Sequence, residues 1–91
     1  MMYEIRVTNR FKKHIKLCKK RGLNLEIVEN AIDLLAESGT LPLEHKAHKL
    51  SGDFVDCWEC LLKPNWLLIW KQNDNELYLL FLGTGTHSDL F

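Results

Sequence analysis

Three observations predict a single α+β domain in the order β-α-α-β-β-β, with a two-helix hairpin packed on an antiparallel sheet. Two amphipathic helical stretches lie side by side within residues 10–38. Three apolar stretches separated by turn residues follow within residues 54–82, and one short alternating stretch, residues 2–7, precedes them all. The chain has 91 residues. A chain that short buries only about 60–65% of the surface its unfolded form exposes, so there is one core and one domain, residues 1–91.

Each element follows from a local pattern. In residues 2–7, Tyr3, Ile5 and Val7 alternate with Glu4 and Arg6, as in a half-buried edge strand. Thr8 or Asn9 then caps a helix over residues 10–21. Its apolar face is Phe11, Ile15 and Cys18, its lysines occupy the remaining arc with His14 solvated among them, and Gly22 stops it. Asn24 caps a second helix with Leu25, Val28, Ile32 and Leu35 on one face and Glu26, Glu29, Asp33 and Glu37 on the other. Gly39 ends that helix, and Pro42 prevents its continuation. Residues 40–52 lack periodicity and read as a loop with a brief strand near 47–50 and His45 at the surface.

Strands are expected over residues 54–62, 66–71 and 76–82. Lys63-Pro64-Asn65 and Gln72-Asn73-Asp74-Asn75 supply turn chemistry for two consecutive antiparallel hairpins. Residues 66–70, apolar on both faces, belong in the sheet interior. The last strand is expected to end where its apolar run meets Gly83, the two glycines turning the backbone so that His87 projects from the sheet end.

Composition excludes several function classes. No apolar run approaches the roughly 18 residues needed to span a bilayer, and the opening Met1-Met2-Tyr3-Glu4 shows neither a charged n-region nor an apolar h-region, so a cytoplasmic protein without membrane contact is expected. Three cysteines fit reduced thiols. Cys57 and Cys60 form one Cys-x-x-Cys without a second pair, and on a strand they point to opposite faces, so neither a metal nor a cofactor is expected. Charge is the more informative signal. Residues 1–21 hold eight cations against one acid, a net of +7, whereas residues 22–91 hold four against eleven, a net of −7. This asymmetry points to a polyanion-binding face. The candidate RNA- or ribosome-binding cations are Arg10, Lys13, Lys16, Lys19 and Lys20 in the first helix, together with Lys49 and Lys63.

His48 and His87 each lie beside a sheet end. Imidazole, with an ordinary pKa of about 6.5, is suited to proton transfer near neutral pH, so the two are candidates for a shared acid/base site. Ser88 and Asp89 flank His87, but adjacent residues of an extended chain point apart and no Gly-x-Ser-x-Gly elbow exists, which argues against a hydrolase triad.

Four colinear segments extend this reading: Leu41-Pro42-Leu43; Lys46-Ala47-His48-Lys49-Leu50-Ser51-Gly52; Glu59-Cys60-x-x-Lys63-Pro64-Asn65-Trp66-Leu67-Leu68-Ile69; and Gly83-Thr84-Gly85-Thr86-His87-Ser88-Asp89-Leu90-Phe91. Together they resemble the YafQ branch of the RelE/ParE toxin superfamily across the whole chain. The resemblance implies the RelE-like β-α-α-β-β-β layout, a type II toxin held in check by a cognate antitoxin, and cleavage of mRNA in the ribosomal A site. That chemistry uses the ribose 2′-OH, a base for this hydroxyl and an acid for the leaving 5′-oxygen, without metal or cofactor. It assigns the acid/base pair to His48 and His87, and base stacking to Phe91.

The chain also departs from the family pattern. Trp58 and Gly83 stand where arginines are usual, Leu61 where a third histidine is usual, and Asn65 where an aspartate is usual. These departures keep open an alternative, a toxin-fold protein that binds antitoxin or ribosome without efficient cleavage. A ParE-like action on gyrase is a third reading, against which the C-terminal histidine segment speaks.

Overall fold

The structure, a computed structural model, describes residues 2–91. Strand β1 (Glu4–Val7) leads through Thr8 into helix α1 (Asn9–Lys20), and helix α2 (Leu25–Ser38) follows after a short link. A 3-10 turn (Leu43–His45) precedes the short strand β2 (His48–Lys49), and a second 3-10 turn (Gly52–Phe54) precedes strand β3 (Cys57–Lys63). Strands β4 (Trp66–Asn73) and β5 (Tyr78–Gly85) complete the meander, and a one-turn helix α3 (His87–Leu90) closes the chain.

Helix ends are fixed as their residues dictate. The Thr8 hydroxyl accepts from the Phe11 N–H, and the Asn24 side-chain Oδ1 accepts from the Glu26 N–H, each satisfying a first-turn donor that the helix leaves free. Gly39 ends α2 in the left-handed conformation at φ 73°, which costs glycine no Cβ clash.

The five strands lie in the order β1-β5-β4-β3-β2, with β4 at the centre, as its doubly apolar sequence requires. The sheet is mixed, whereas an antiparallel one was expected, because β1 runs parallel to β5. No tight turn joins those two strands; the helices and the whole meander intervene, so nothing local forces an antiparallel pairing. Beyond the expected layout the fold adds β2, within the stretch where a brief strand was expected, and α3, which was not.

Several strand boundaries also differ from expectation: β4 runs on to Asn73 and β5 starts only at Tyr78, and two differences reshape the site. Residues 54–56 are not in β3, since Phe54 belongs to the preceding 3-10 turn and Asp56 takes φ 73°. Strand β5 does not stop at Leu82. Gly83, Thr84 and Gly85 pair with Ile69, Leu68 and Leu67, and Leu82 is the extra residue of a bulge between the Ile69↔Gly83 and Trp70↔Phe81 pairs.

The helices cover one face of the sheet. Phe11, Cys18, Val28 and Leu35 meet Leu68, Trp70, Leu79 and Phe81 there, and full burial of a side chain such as Phe81 contributes about 1.5–3 kcal/mol. The opposite face carries a smaller cluster of Cys57, Leu67, Ile69 and Leu90, flanked by Leu50, Phe54, Leu61 and Leu82. That second face, only partly roofed by the Gly52–Phe54 turn and the C-terminal segment, is where the candidate site lies.

Candidate active site

Strand register assembles half of the site. His48 pairs with Glu59, Glu59 with Ile69, and Ile69 with Gly83, which makes one row across four strands. Directly paired residues project to the same face, so His48 and Glu59 share the face of Ile69. The His48 Nδ1–H donates to the Lys46 carbonyl at 2.8 Å, which leaves Nε2 as the nitrogen free to exchange protons, and it stands 3.5 Å from Glu59 Oε1. His48 is exposed, whereas Glu59 is buried at 8% exposure. Glu59 stands in the resembling motif without an assigned role. Its signal was a carboxylate among the apolar residues of a strand.

The other half is the C-terminal segment, where nearly every residue has a structural task. The buried Thr84 hydroxyl donates to the Leu67 carbonyl at 2.7 Å and accepts from the Trp66 indole N–H at 2.9 Å, so it locks β5 to β4. Thr86 and Asp89 form a capping box: the Asp89 N–H donates to the Thr86 hydroxyl, and the Thr86 N–H donates to the Asp89 carboxylate at 2.9 Å. The Thr-x-x-Asp spacing was the missed signal for α3. At Gly85 a Cβ would lie 2.5 Å from that carboxylate, so glycine there lets the cap close. His87 and Phe91 are then displayed at the rim. Their rings are 5.9 Å apart between centroids, and Phe91 meets Phe54 edge-on at 5.0 Å.

His48 and His87 thus border the same sheet face without touching. The register row from β2 to β5 spans three strand spacings of about 4.8 Å, roughly 14 Å, with Glu59 and Ile69 between its ends.

Helix α1 corrects two expectations. His14 is not solvated among the lysines. It is half-buried, and its Nδ1 accepts from the Thr84 N–H at 3.2 Å. Burial, followed by the charge of Arg10, pushes its pKa below the ordinary histidine value. Arg10 was expected to face RNA, yet it donates to the Leu90 carbonyl at 2.8 Å. Arg21 adds a two-pronged ion pair to Asp89 at 2.6 and 3.0 Å, and this holds the Asp89 carboxyl well below the usual carboxylate range. By contrast Lys13, Lys16, Lys19 and Lys20 are exposed, and among the described residues none pairs with an acid.

His45 also differs from expectation, since it is half-buried. Its Nδ1–H donates to the Leu61 carbonyl at 2.8 Å, capping the edge of β3 where β2 has not yet begun. With Lys46, Lys63 and Pro64 it lines a cavity of about 430 Å³ beside the row, of which neither His48 nor His87 is part. Lys49 stands 5.8 Å above the Trp58 ring. Burial, with Glu59 adding, pushes the Cys60 thiol up to about 12, so it stays protonated and unreactive at neutral pH.

The sequence and the fold match known proteins. The family described as "Bacterial toxin of type II toxin-antitoxin system, YafQ" matches residues 3–91. The chain belongs to the YafQ toxin family. The protein named mRNA interferase toxin YafQ from Escherichia coli (strain K12) is 33% identical over 90 residues, which are 97% of this chain and 95% of that protein. The crystal structure of YafQ from Escherichia coli strain BL21(DE3) superposes with a TM-score of 0.90 at 30% identity, covering 98% of each chain. The same toxin in the Escherichia coli DinJ-YafQ toxin-antitoxin complex gives a TM-score of 0.88 at 30% identity over 100% of this chain and 99% of that one.

The departures from the YafQ pattern now have addresses. Trp58 packs toward the helices and stacks on Trp70 at 6.2 Å, so a cation is missing there from the opposite face to Glu59. Leu61 belongs to the site face, and Asn65 takes φ 66° in the β3–β4 turn, a conformation that Asn tolerates. Gly83 ends the row itself. A Cβ there would lie 2.8 Å from Leu90 and 2.9 Å from His14 Nδ1, so the space an arginine stem needs is filled.

Proposed function

We propose that this YafQ-family protein is a ribosome-dependent mRNA endonuclease toxin, neutralised by binding a cognate antitoxin. Cleavage proceeds by attack of a ribose 2′-OH on the adjacent phosphate. One of His48 and His87 removes the hydroxyl proton while the other protonates the leaving 5′-oxygen, and the exposed Phe91 ring stacks on a base beside the cut. The observation that carries this reading is the pair of exposed imidazoles bordering one sheet face, each tied to a backbone-anchored element. The unpaired lysines of α1, on the far side of that helix from the C-terminal segment, serve as the ribosomal RNA contact.

A specific feature favours a second reading, an antitoxin- or ribosome-binding protein that cleaves poorly. The row ends in Gly83, and Leu61 lies on the same face two residues along β3 from Glu59, so the site holds neither a guanidinium at Gly83 for the phosphate charge nor a third imidazole at Leu61. Primer extension on mRNA in a translation extract separates the two. The endonuclease reading expects cuts that appear only with ribosomes and vanish in His87→Ala. Ribosome co-sedimentation without cuts supports the binder. Charge reversal at Lys13, Lys16 and Lys20 weakens co-sedimentation and flattens its salt dependence under either reading.

A further inference from the structure

We infer that Arg21, acting through Asp89, is a positioning residue for His87 and Phe91, so that the two kinds of cation on α1 do different work. With 100° per residue, about 3.6 residues per turn, His14, Arg21 and Arg10 fall on one flank of the apolar stripe, roughly 60–100° from Phe11, whereas the lysines fall roughly 80–200° away in the other direction. The structure agrees: all three flank residues contact the C-terminal segment, while the lysines face outward.

The clamp acts at three points. His14 holds Thr84 as β5 ends, Arg21 holds Asp89 inside α3, and Arg10 holds the Leu90 carbonyl one residue before Phe91. His87 lies between the first two points and Phe91 just beyond the third. An exposed ion pair is usually worth little, but this one is bidentate, and its carboxylate also accepts from the Thr86 N–H that starts α3. Arg21 therefore fixes the residue whose other oxygen contact sets the helix that displays His87. The role rests on the endonuclease reading, but the positioning itself does not depend on turnover.

Two variants isolate the pair. Arg21→Ala removes the cation, and Asp89→Asn removes the charge while keeping an oxygen that can accept from Thr86. In single-turnover cleavage on programmed ribosomes, each is expected to lower the cut rate about ten- to a hundredfold, the loss typical of a misplaced catalytic group. The double variant should lose no more than either alone, with ribosome affinity unchanged and Arg21→Lys recovering part of the rate. In the free protein, NMR relaxation should show new fast motion at residues 87–91 and in the His87 ring, with β3 and β4 unaffected.

Four results overturn the inference. They are unchanged motion of residues 87–91 in both single variants, an unchanged cut rate in both, losses that multiply in the double variant, or a loss explained by a weaker ribosome salt dependence. If the unaltered chain makes no cuts, the endonuclease reading fails, and the relaxation measurement alone decides whether Arg21 positions the segment.

Discussion

The two halves of the candidate site are held in place by different physics. His48 sits on a two-residue strand, its ring fixed by a carbonyl two residues away and faced by a carboxylate on the neighbouring strand. His87 sits on a one-turn helix that, with the end of β5 before it, is held from 68 to 80 residues away by the Arg21 ion pair, the His14 imidazole and the Arg10 guanidinium. The first half is local and rests on backbone geometry. The second is assembled only when the whole fold closes, and its contacts carry charge, so pH and substitution should disturb it first.

Removing the imidazoles themselves should have the largest effect and should erase the difference between the halves. His48→Ala and His87→Ala are each expected to slow cleavage about 10²–10⁴-fold, the typical contribution of a positioned acid or base. The double variant should be little worse than either, since a base and an acid that serve the same cleavage step act as a unit. Single-turnover rates measure this. Full activity in His87→Ala would remove the C-terminal half from the chemistry, and multiplicative losses would show that the two rings do not act as a unit.

Refilling the row should damage only the C-terminal half. Gly83→Arg supplies the cation that the family resemblance implies at this position, but its stem would enter space held by Leu90 and His14. Overpacking of that kind typically costs about 1–3 kcal/mol, and a domain of this size loses roughly 4–8 °C of melting temperature per kcal/mol. The lost protection should concentrate in residues 83–91. Asn65→Asp, at an exposed turn where both residues tolerate φ near 66°, should leave the melting temperature nearly unchanged. A Gly83→Arg protein as stable as the parent would show that the C-terminal segment yields easily, contrary to the clamp described above.

The same contrast explains what was legible in the sequence. Both helices were, because Asn24, Gly39 and the spacing of Phe11, Ile15 and Cys18 act through neighbours in the chain. The central position of β4 was too, from residues apolar on both faces. The parallel pairing of β1 and the extension of β5 through Gly83–Gly85 were not, because they are set by partners far away in sequence. In the His48 half, the histidine and its short strand were legible from local pattern, whereas Glu59 opposite it, set by the β2–β3 register, was not. The clamp did not lie beyond reach: the angular position of His14 beside Phe11 was readable, but a histidine among lysines was assigned by its neighbours in sequence instead of by its turn of the helix.

The smallest expected effect separates the halves by acidity. His14 accepts the Thr84 N–H only while its Nδ1 is unprotonated, and burial with Arg10 and Arg21 nearby lowers its pKa in the folded state, with Asp89 opposing. The unfolded chain takes up this proton first. Its stabilising contribution is therefore complete above the ordinary value of about 6.5 and is lost as pH falls through the lower folded value. Asp89, also depressed through Arg21, adds a second loss at still lower pH, below the ordinary carboxylate value of about 3.9. Hydrogen exchange measured as pH is lowered from 7.5 should thus show residues 84–91 losing protection before the β3–β4 ladder does. His14→Asn places an amide oxygen where Nδ1 stands and does not titrate, so it should abolish the step below pH about 6.5 while leaving the more acidic one. An unchanged step in that variant would assign the transition to another group and leave His14 as packing alone.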